Sequence, residues 1–281
     1  MASISQAAPK EAQMFGETTR QLPGWLGHRR RTVAIAVTVL TLSQVSLLTS
    51  RVSADTPTCW GKPATIVGTQ GDDVIRGTNG PDVIVGLGGF DVIYGMGGDD
   101  VICGNGPSTA LYGDSLYGGP GDDILVGGVG LDHLYGGSGD DRLFGGEGTD
   151  QLFTGPGNDL ANGGPGADGI YFRDAPRSMD IDLTSGVATG WGRDTIVSVR
   201  DVTGSPFGDT IAGNSAGNYI SGEGGDDILR GKGGNDWLDG GPGRDTVFGG
   251  SGDDHLKGQQ NDGGPGTDVC IGDPSPVNCE G

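Results

Sequence analysis

The chain has 281 residues, 60 of them glycine, with 17 Lys and Arg set against 37 Asp and Glu and a formal net charge of −20. So acidic a balance excludes nucleic acid as a partner, which needs a basic footprint, and the lack of a Gly-X-Y triplet excludes collagen. Six of the basic residues lie within residues 1–54, so the remainder is more acidic still and is expected to stay expanded until counter-ions are supplied.

Residues 1–54 have the make-up of an export signal with a long n-region. Arg29, Arg30 and Arg31 precede an apolar run from Thr32 to Leu48, and Val52-Ser53-Ala54 offers a small-residue cleavage site. Cleavage is expected after Ala54, which makes the protein secreted; a membrane is a partner only if that segment is retained, since the run nearly reaches spanning length. Residues 55–67 carry Pro57, Cys59, Trp60 and Pro63 and show no period. From Gly68 the chain falls into nines. Block one reads GTQGDDVIR, GTNGPDVIV, GLGGFDVIY and GMGGDDVIC, and sets Asp73, Asp82, Asp91 and Asp100 nine apart. The next unit, GNGPSTALY, has Pro107 in place of Gly and Thr109 in place of Asp, and a five-residue remnant, GDSLY, follows it. A site is therefore expected to be lost within the irregular residues 104–117.

Block two, from Gly118 to Tyr171, keeps the period best. Its acidic positions are Asp123, Asp132, Asp141, Asp150, Asp159 and Asp168, each followed two places later by Leu125, Leu134, Leu143, Leu152, Ala161 and Ile170. Residues 172–203 leave the period; Ile181 and Leu183, then Ile196, Val197 and Val199, suggest longer strands there. Block three, residues 204–271, restores it with Asp209, Asn218, Asp227, Asp236, Asp245 and Asp254, is interrupted by GQQND, and ends on Asp268. Phe207 and Ala216 stand where the fourth glycine belongs, so those two turns are expected to bind weakly. Residues 272–281 carry no period.

The pattern resembles the calcium-binding nonapeptide repeat G-G-x-G-x-D-x-U-x of RTX proteins. The resemblance covers roughly residues 64–271 and implies an all-β fold, a right-handed parallel β-roll, or β-solenoid. It implies multiple Ca²⁺ ions as cofactor and partner, held at the acidic or Asn position of each repeat named above. Residues 55–67 and 272–281 then read as end caps, and residues 172–203 as a spacer that continues the solenoid. Family members generally carry the roll as a stabilising or export-linked module beside an enzyme, toxin or adhesin.

A period of nine with one aliphatic position suits neither an amphipathic helix nor a long alternating strand. A six-residue glycine turn followed by a three-residue strand does suit it, with the middle side chain of x-U-x pointing inward. Glycines at the first, second and fourth places permit positive φ and let carbonyls converge. Two repeats make one coil, so acidic residues eighteen apart in sequence lie about 4.8 Å apart in space. Carboxylates at that spacing repel by roughly 1 kcal/mol in water and roughly 3 kcal/mol at an effective dielectric of 20. Hard oxygen donors in a flexible turn suit Ca²⁺ better than Mg²⁺, which demands an octahedron, and metal binding is then expected to be the folding event.

Cys59, Cys103, Cys270 and Cys279 lack zinc spacing and in an exported chain read as disulfides. Of three connectivities, Cys59–Cys103 with Cys270–Cys279 is the most economical. Catalytic motifs are missing: His28, His133 and His255 have no second His four residues on, and no G-x-S-x-G, P-loop or EF-hand loop occurs. Paired acids such as Asp72-Asp73 imitate a glycosidase dyad but recur in many repeats, as ion ligands would. Residues at the ninth position, Tyr94 with Tyr112, Val126 with Phe144, and Tyr135 with Phe153 and Tyr171, are expected to form outward ladders. The leading expectation is a secreted calcium-binding protein without catalysis. The alternatives are a surface-interaction module that meets a glycan or cell surface through those ladders, and an accessory fragment of a secreted hydrolase, with any active site in residues 172–203.

Overall fold

The computed structural model describes residues 56–105, 112–272 and 276–279; the expected leader with its cleavage site, together with Pro107 and Thr109, lies outside them. Among the described residues every regular element is a β-strand. In block one each repeat contributes one three-residue strand at its seventh to ninth positions, as in β5 (Val83–Val85), β6 (Val92–Tyr94) and β7 (Val101–Cys103). Successive strands join different sheets, one of eleven strands and one of thirteen, so each sheet collects every other repeat. Pairing between repeats is parallel and in register: Leu134 faces Leu116 and Leu152, and Leu143 faces Leu125 and Ala161. The architecture is a parallel β-solenoid of about eleven turns.

The strand alternation puts the eighth position of each repeat inside. Leu116, Leu125, Leu134, Leu143, Leu152 and Ile170 are fully buried, and Ala161 takes the same place despite its size. These residues form one continuous core with Ile211, Ile220, Leu229, Leu238, Val247 and Leu256 of block three. At the far end of the thirteen-stranded sheet the aliphatic row stops at Asn261, whose Nδ2 donates to the Ile271 carbonyl at 3.1 Å. A polar side chain there ends the row without exposing an apolar one.

Residues 172–203 join the same thirteen-stranded sheet by different pairing. β17 (Arg193–Val197) lies parallel to β13 (Leu160–Asn162), then β16 (Val187–Thr189) and β15 (Asp180–Asp182) follow antiparallel, and β15 returns parallel to β19 (Thr210–Ala212). Phe172, Ala175, Met179 and Ile181 extend the core beneath these strands.

Both expected disulfides form, Cys59–Cys103 and Cys270–Cys279. The first ties the hairpin of β1 (Thr58–Cys59) and β2 (Lys62–Pro63) to the outer face of the thirteen-stranded sheet, where Cys59, Val85, Val101 and Cys103 bury one another in a second, smaller cluster. The second ties down a tail whose Val277 pairs beside Asp262.

Candidate metal centres in the glycine turns

Five of the six turns of block two have the same construction, shown by GGSGDD at Gly136–Asp141; the fifth opens on Thr154 in place of the first glycine. Gly137 and Gly139 adopt φ of 112° and 131°, as the sequence pattern requires of the second and fourth places. The first place is glycine for another reason. A Cβ on Gly136 would lie 2.5 Å from Asp141 Oδ2 and 2.6 Å from the Thr154 carbonyl of the next coil, so at Gly136 bulk and not backbone conformation disfavours a side chain. The same crowding recurs at Gly118 with Asp123, Gly127 with Asp132 and Gly145 with Asp150.

The acidic side chains split their two oxygens between two tasks. One oxygen stitches coils together: Asp123 N–H donates to Asp141 Oδ1 at 2.8 Å, and Asp141 N–H to Asp159 Oδ1 at 2.7 Å. On the other edge Asp132 donates to Asp150 and Asp150 to Asp168, at 2.9 and 2.8 Å. The second oxygen turns back over the first glycine of its own turn. In Asp91, Asp100, Asp123, Asp132, Asp141 and Asp150, as in Asp227, Asp236, Asp245 and Asp254, this Oδ2 is buried with no hydrogen-bond donor. A buried acceptor without a partner costs about 1–3 kcal/mol, more when charged.

Burial raises these carboxyls well above their ordinary value of 3.8. Desolvation is the largest cause and neighbouring Asp residues add to it, against the lowering effect of the backbone N–H that each receives. Asp123, Asp132 and Asp150 are pushed up to about 6, Asp141 and Asp227 to about 7, and Asp159 to about 8. Among the described residues no three His, Cys, Asp or Glu side chains converge. A cation in these turns would therefore draw one carboxylate oxygen per turn and complete its shell from carbonyls. The test of fit is met by the orphaned oxygen, the glycine cradle that a Cβ would fill, and the all-oxygen donor set. An ion with many oxygen ligands and tolerant geometry suits such a cradle.

Several residues fall where the sequence did not put them. Asp114, from the five-residue remnant, is buried and occupies a rung: Asp91 N–H donates to its Oδ1 at 2.8 Å, and its own N–H to Asp132 Oδ1 at 2.6 Å. The carboxylate row thus runs unbroken from Asp91 to Asp132, with Asp114 on the rung between them. Asp194, within residues 172–203, takes the rung after Asp159, receiving its N–H at 3.1 Å, and is pushed up to about 6 mainly by burial. Gln259 supplies the amide oxygen that receives Asp245 N–H at 2.8 Å. Asp268 keeps its expected rung and accepts from Asp254 N–H at 2.9 Å. Asp73, Asp82, Asp209 and Asn218 sit on their rungs too, but there the second side-chain function is not left without a partner.

The outward rings also shift partners. Tyr94 stacks on Tyr117, not on Tyr112, because the coil between them is twenty-three residues long; Tyr112 instead meets Phe90. From Tyr94 the stack continues through Tyr117, Tyr135 and Phe153 to Tyr171, with centroids 4.4–5.0 Å apart. Phe144 stacks on Trp60 of the N-terminal hairpin. His255 lies against Trp237, their ring centroids 3.9 Å apart.

Two parallel sheets joined by glycine turns, nearly all of them carrying an acidic side chain, define a β-roll. Residues 65–80, 76–106, 117–152, 144–173, 203–238 and 230–261 match the RTX calcium-binding nonapeptide repeat, over more than half of the chain. The chain belongs to that family. No curated protein matches it significantly.

Proposed function

We propose that this is an exported, non-catalytic protein whose glycine turns bind multiple Ca²⁺ ions and whose roll orders as they fill. The observation that carries the reading is the repeated buried Oδ2 without a donor, at turn after turn on both edges. Asp91, Asp100, Asp123, Asp132, Asp141, Asp150, Asp159 and Asp168 would hold ions in blocks one and two, joined by Asp114 and Asp194; Asp227, Asp236, Asp245, Asp254 and Asp268 would do so in block three. Calcium would supply positive charge to the buried carboxylates of each turn. The chain's own contribution is to keep each carboxylate on its rung through the N–H of the coil before, and to keep side chains out of the cradle.

Export is supported by the two disulfides, which persist in oxidising compartments. The absence of catalysis is inferred from the acids themselves: pairs such as Asp72-Asp73 recur in turn after turn, as ion ligands would, and not once, as a catalytic dyad would. A glycan-binding surface made by the ladder is disfavoured, because the stacked rings present their faces to one another and only their edges outward. The test is circular dichroism of the chelated full chain as calcium or magnesium is restored. The β signal should be weak in EDTA and return at about 10⁻⁴–10⁻³ M calcium, with magnesium much less effective. A β signal indifferent to chelation would sink the proposal.

A further inference from the structure

Among the described residues, four turns close on the side chain of their own sixth position, and they occur in two adjacent pairs: the first two repeats after the N-terminal hairpin and the first two after residues 172–203. Their common feature is the second position, held by Thr69, Thr78, Ser205 and Asn214 instead of glycine. In the first, Thr69 N–H and Oγ1 both donate to Asp73 Oδ2, at 2.6 and 2.9 Å, and Gly71 N–H donates to Thr69 Oγ1 at 3.2 Å. Thr78 repeats the set on Asp82 Oδ2 at 2.7 and 2.9 Å, with Gly80 N–H donating at 3.2 Å. Ser205 N–H donates to Asp209 Oδ2 at 2.6 Å and its hydroxyl to Oδ1 at 2.7 Å, while Phe207 N–H returns to Ser205 Oγ at 3.2 Å.

The fourth turn is built the same way without any charge. Asn214 N–H donates to Asn218 Oδ1 at 2.9 Å, Ala216 N–H to Asn214 Oδ1 at 2.8 Å, and Asn218 Nδ2 is spent on the Arg200 carbonyl at 2.8 Å. The second-position N–H explains the divide. At Gly137 and Gly146, where φ is 112° and 118°, that N–H leaves the turn for a carbonyl of the next coil, at 3.2 and 2.9 Å. At Thr69, Thr78, Ser205 and Asn214, none of which has positive φ, it points back onto the side chain of the sixth position. In the regular six-residue turns, the non-glycine second positions that do adopt positive φ, Leu87, Met96, Glu223 and Lys232, carry no short hydroxyl or amide that could receive the fourth-position N–H; Asn105, which stands second in the irregular unit, also has positive φ, at 69°, and sends its N–H out to the Gly127 carbonyl at 2.9 Å. Within a regular six-residue turn, a short polar side chain at the second place therefore selects a turn closed by its own hydrogen bonds.

We propose that the turns opened by Thr69, Thr78, Ser205 and Asn214 take no calcium through Asp73, Asp82, Asp209 and Asn218, and that each run of calcium turns starts from one metal-independent coil. In these turns an N–H, joined in two of them by a hydroxyl on the same oxygen, occupies the acceptor that an ion claims elsewhere, and the ion count of the protein is lower than its count of repeats. The inference rests on the calcium reading above and assigns its limits.

The experiment counts calcium per full-length chain by equilibrium dialysis with elemental analysis, at saturating calcium. Asp82→Asn and Asn218→Asp should each leave the count unchanged, whereas Asp141→Asn should lower it by at least one ion. The triple change Asn214→Gly, Ala216→Gly and Asn218→Asp rebuilds a GGSGGD turn and should add one ion. Asn218→Asp is the variant least exposed to misfolding, since it keeps the oxygen that Asn214 N–H uses. A loss in Asp82→Asn equal to that in Asp141→Asn, or an ion gained by Asn218→Asp alone, would overturn the inference. If the unaltered protein bound no calcium, the calcium reading would fall first and this inference with it.

Discussion

Residues 172–203 and block two are neighbours in one solenoid, yet they hold themselves together differently. The insert has three glycines and buries eight apolar side chains, Phe172, Ala175, Met179, Ile181, Ala188, Ile196, Val199 and Val202. Block two, a longer segment, buries six, one for each repeat. The insert closes its loops with ordinary bonds, such as Thr184 N–H to Asp182 Oδ1 at 2.8 Å and Thr184 Oγ1 to the Gly213 carbonyl at 3.1 Å. Block two instead leaves an acceptor oxygen bare in its acidic turns. In the insert, hydrogen bonds complete these loops; in block two, the turns are left open to a cation.

The comparison can be broken most severely through pH, which acts on all the acidic turns at once. In chelator the folded protein holds Asp141 and Asp227 at about 7 and Asp159 at about 8, mainly through burial, against 3.8 when open. The metal-free fold thus binds more protons than the unfolded chain, and its stability is full below about pH 4 and lost as pH climbs through about 6 to 8. Circular dichroism in EDTA should show more β structure near pH 4 than near pH 8. With calcium present the order should reverse, since the ion needs the carboxylate form. A chelated chain that gained structure on going from pH 5 to pH 8 would contradict the buried, donorless oxygens.

A smaller but still large effect is expected at Gly136. Alanine there must displace Asp141 Oδ2 and the Thr154 carbonyl together, a clash at a backbone atom that cannot rotate away. The calcium-loaded protein should lose on the order of 3 kcal/mol or more, read by urea denaturation, and added calcium should not restore it. In the insert, Phe172→Ala should cost about 3–5 kcal/mol through loss of a buried ring while leaving the number of bound ions unchanged. An ion lost along with Phe172 would mean that the two regions are less independent than their chemistry suggests. The smallest effect concerns an ion pair from the insert to block three: Lys232 Nζ lies 2.8 Å from Asp182 Oδ1 on an exposed surface. Lys232→Ala should change stability by no more than about 1 kcal/mol, and a larger loss in thermal melting would show that this pair does more than bridge the surface.

Much of the candidate site was legible in the residues before any coordinate. The nine-residue period marked each inward Leu or Ile, because a three-residue strand has only one middle position. It also marked the rungs from Asp123 to Asp168, because equal repeats stack in register. Less legible were the rungs of Asp114, Asp194 and Gln259, each lying off the period. A rung needs only a side-chain oxygen beneath the next coil's N–H, and turns of different length can deliver one. Phe207 and Ala216 drew attention to the fourth place of their turns, whereas the deciding residues were Ser205 and Asn214 at the second. Thr69 and Thr78 gave the same signal in turns that otherwise fit the repeat.

By itself the sequence determined the unit: how long a repeat is, which residue faces inward, where glycine must bend the chain and where an acid recurs. Only the tertiary structure decided what each unit meets. It paired Tyr94 with Tyr117 across a lengthened coil, set Asp194 over Asp159, and separated turns that satisfy their own acid from turns that do not. The physical reason is that a solenoid residue takes its partners from the coil stacked against it. A single inserted segment changes who those partners are without changing the local sequence of either one.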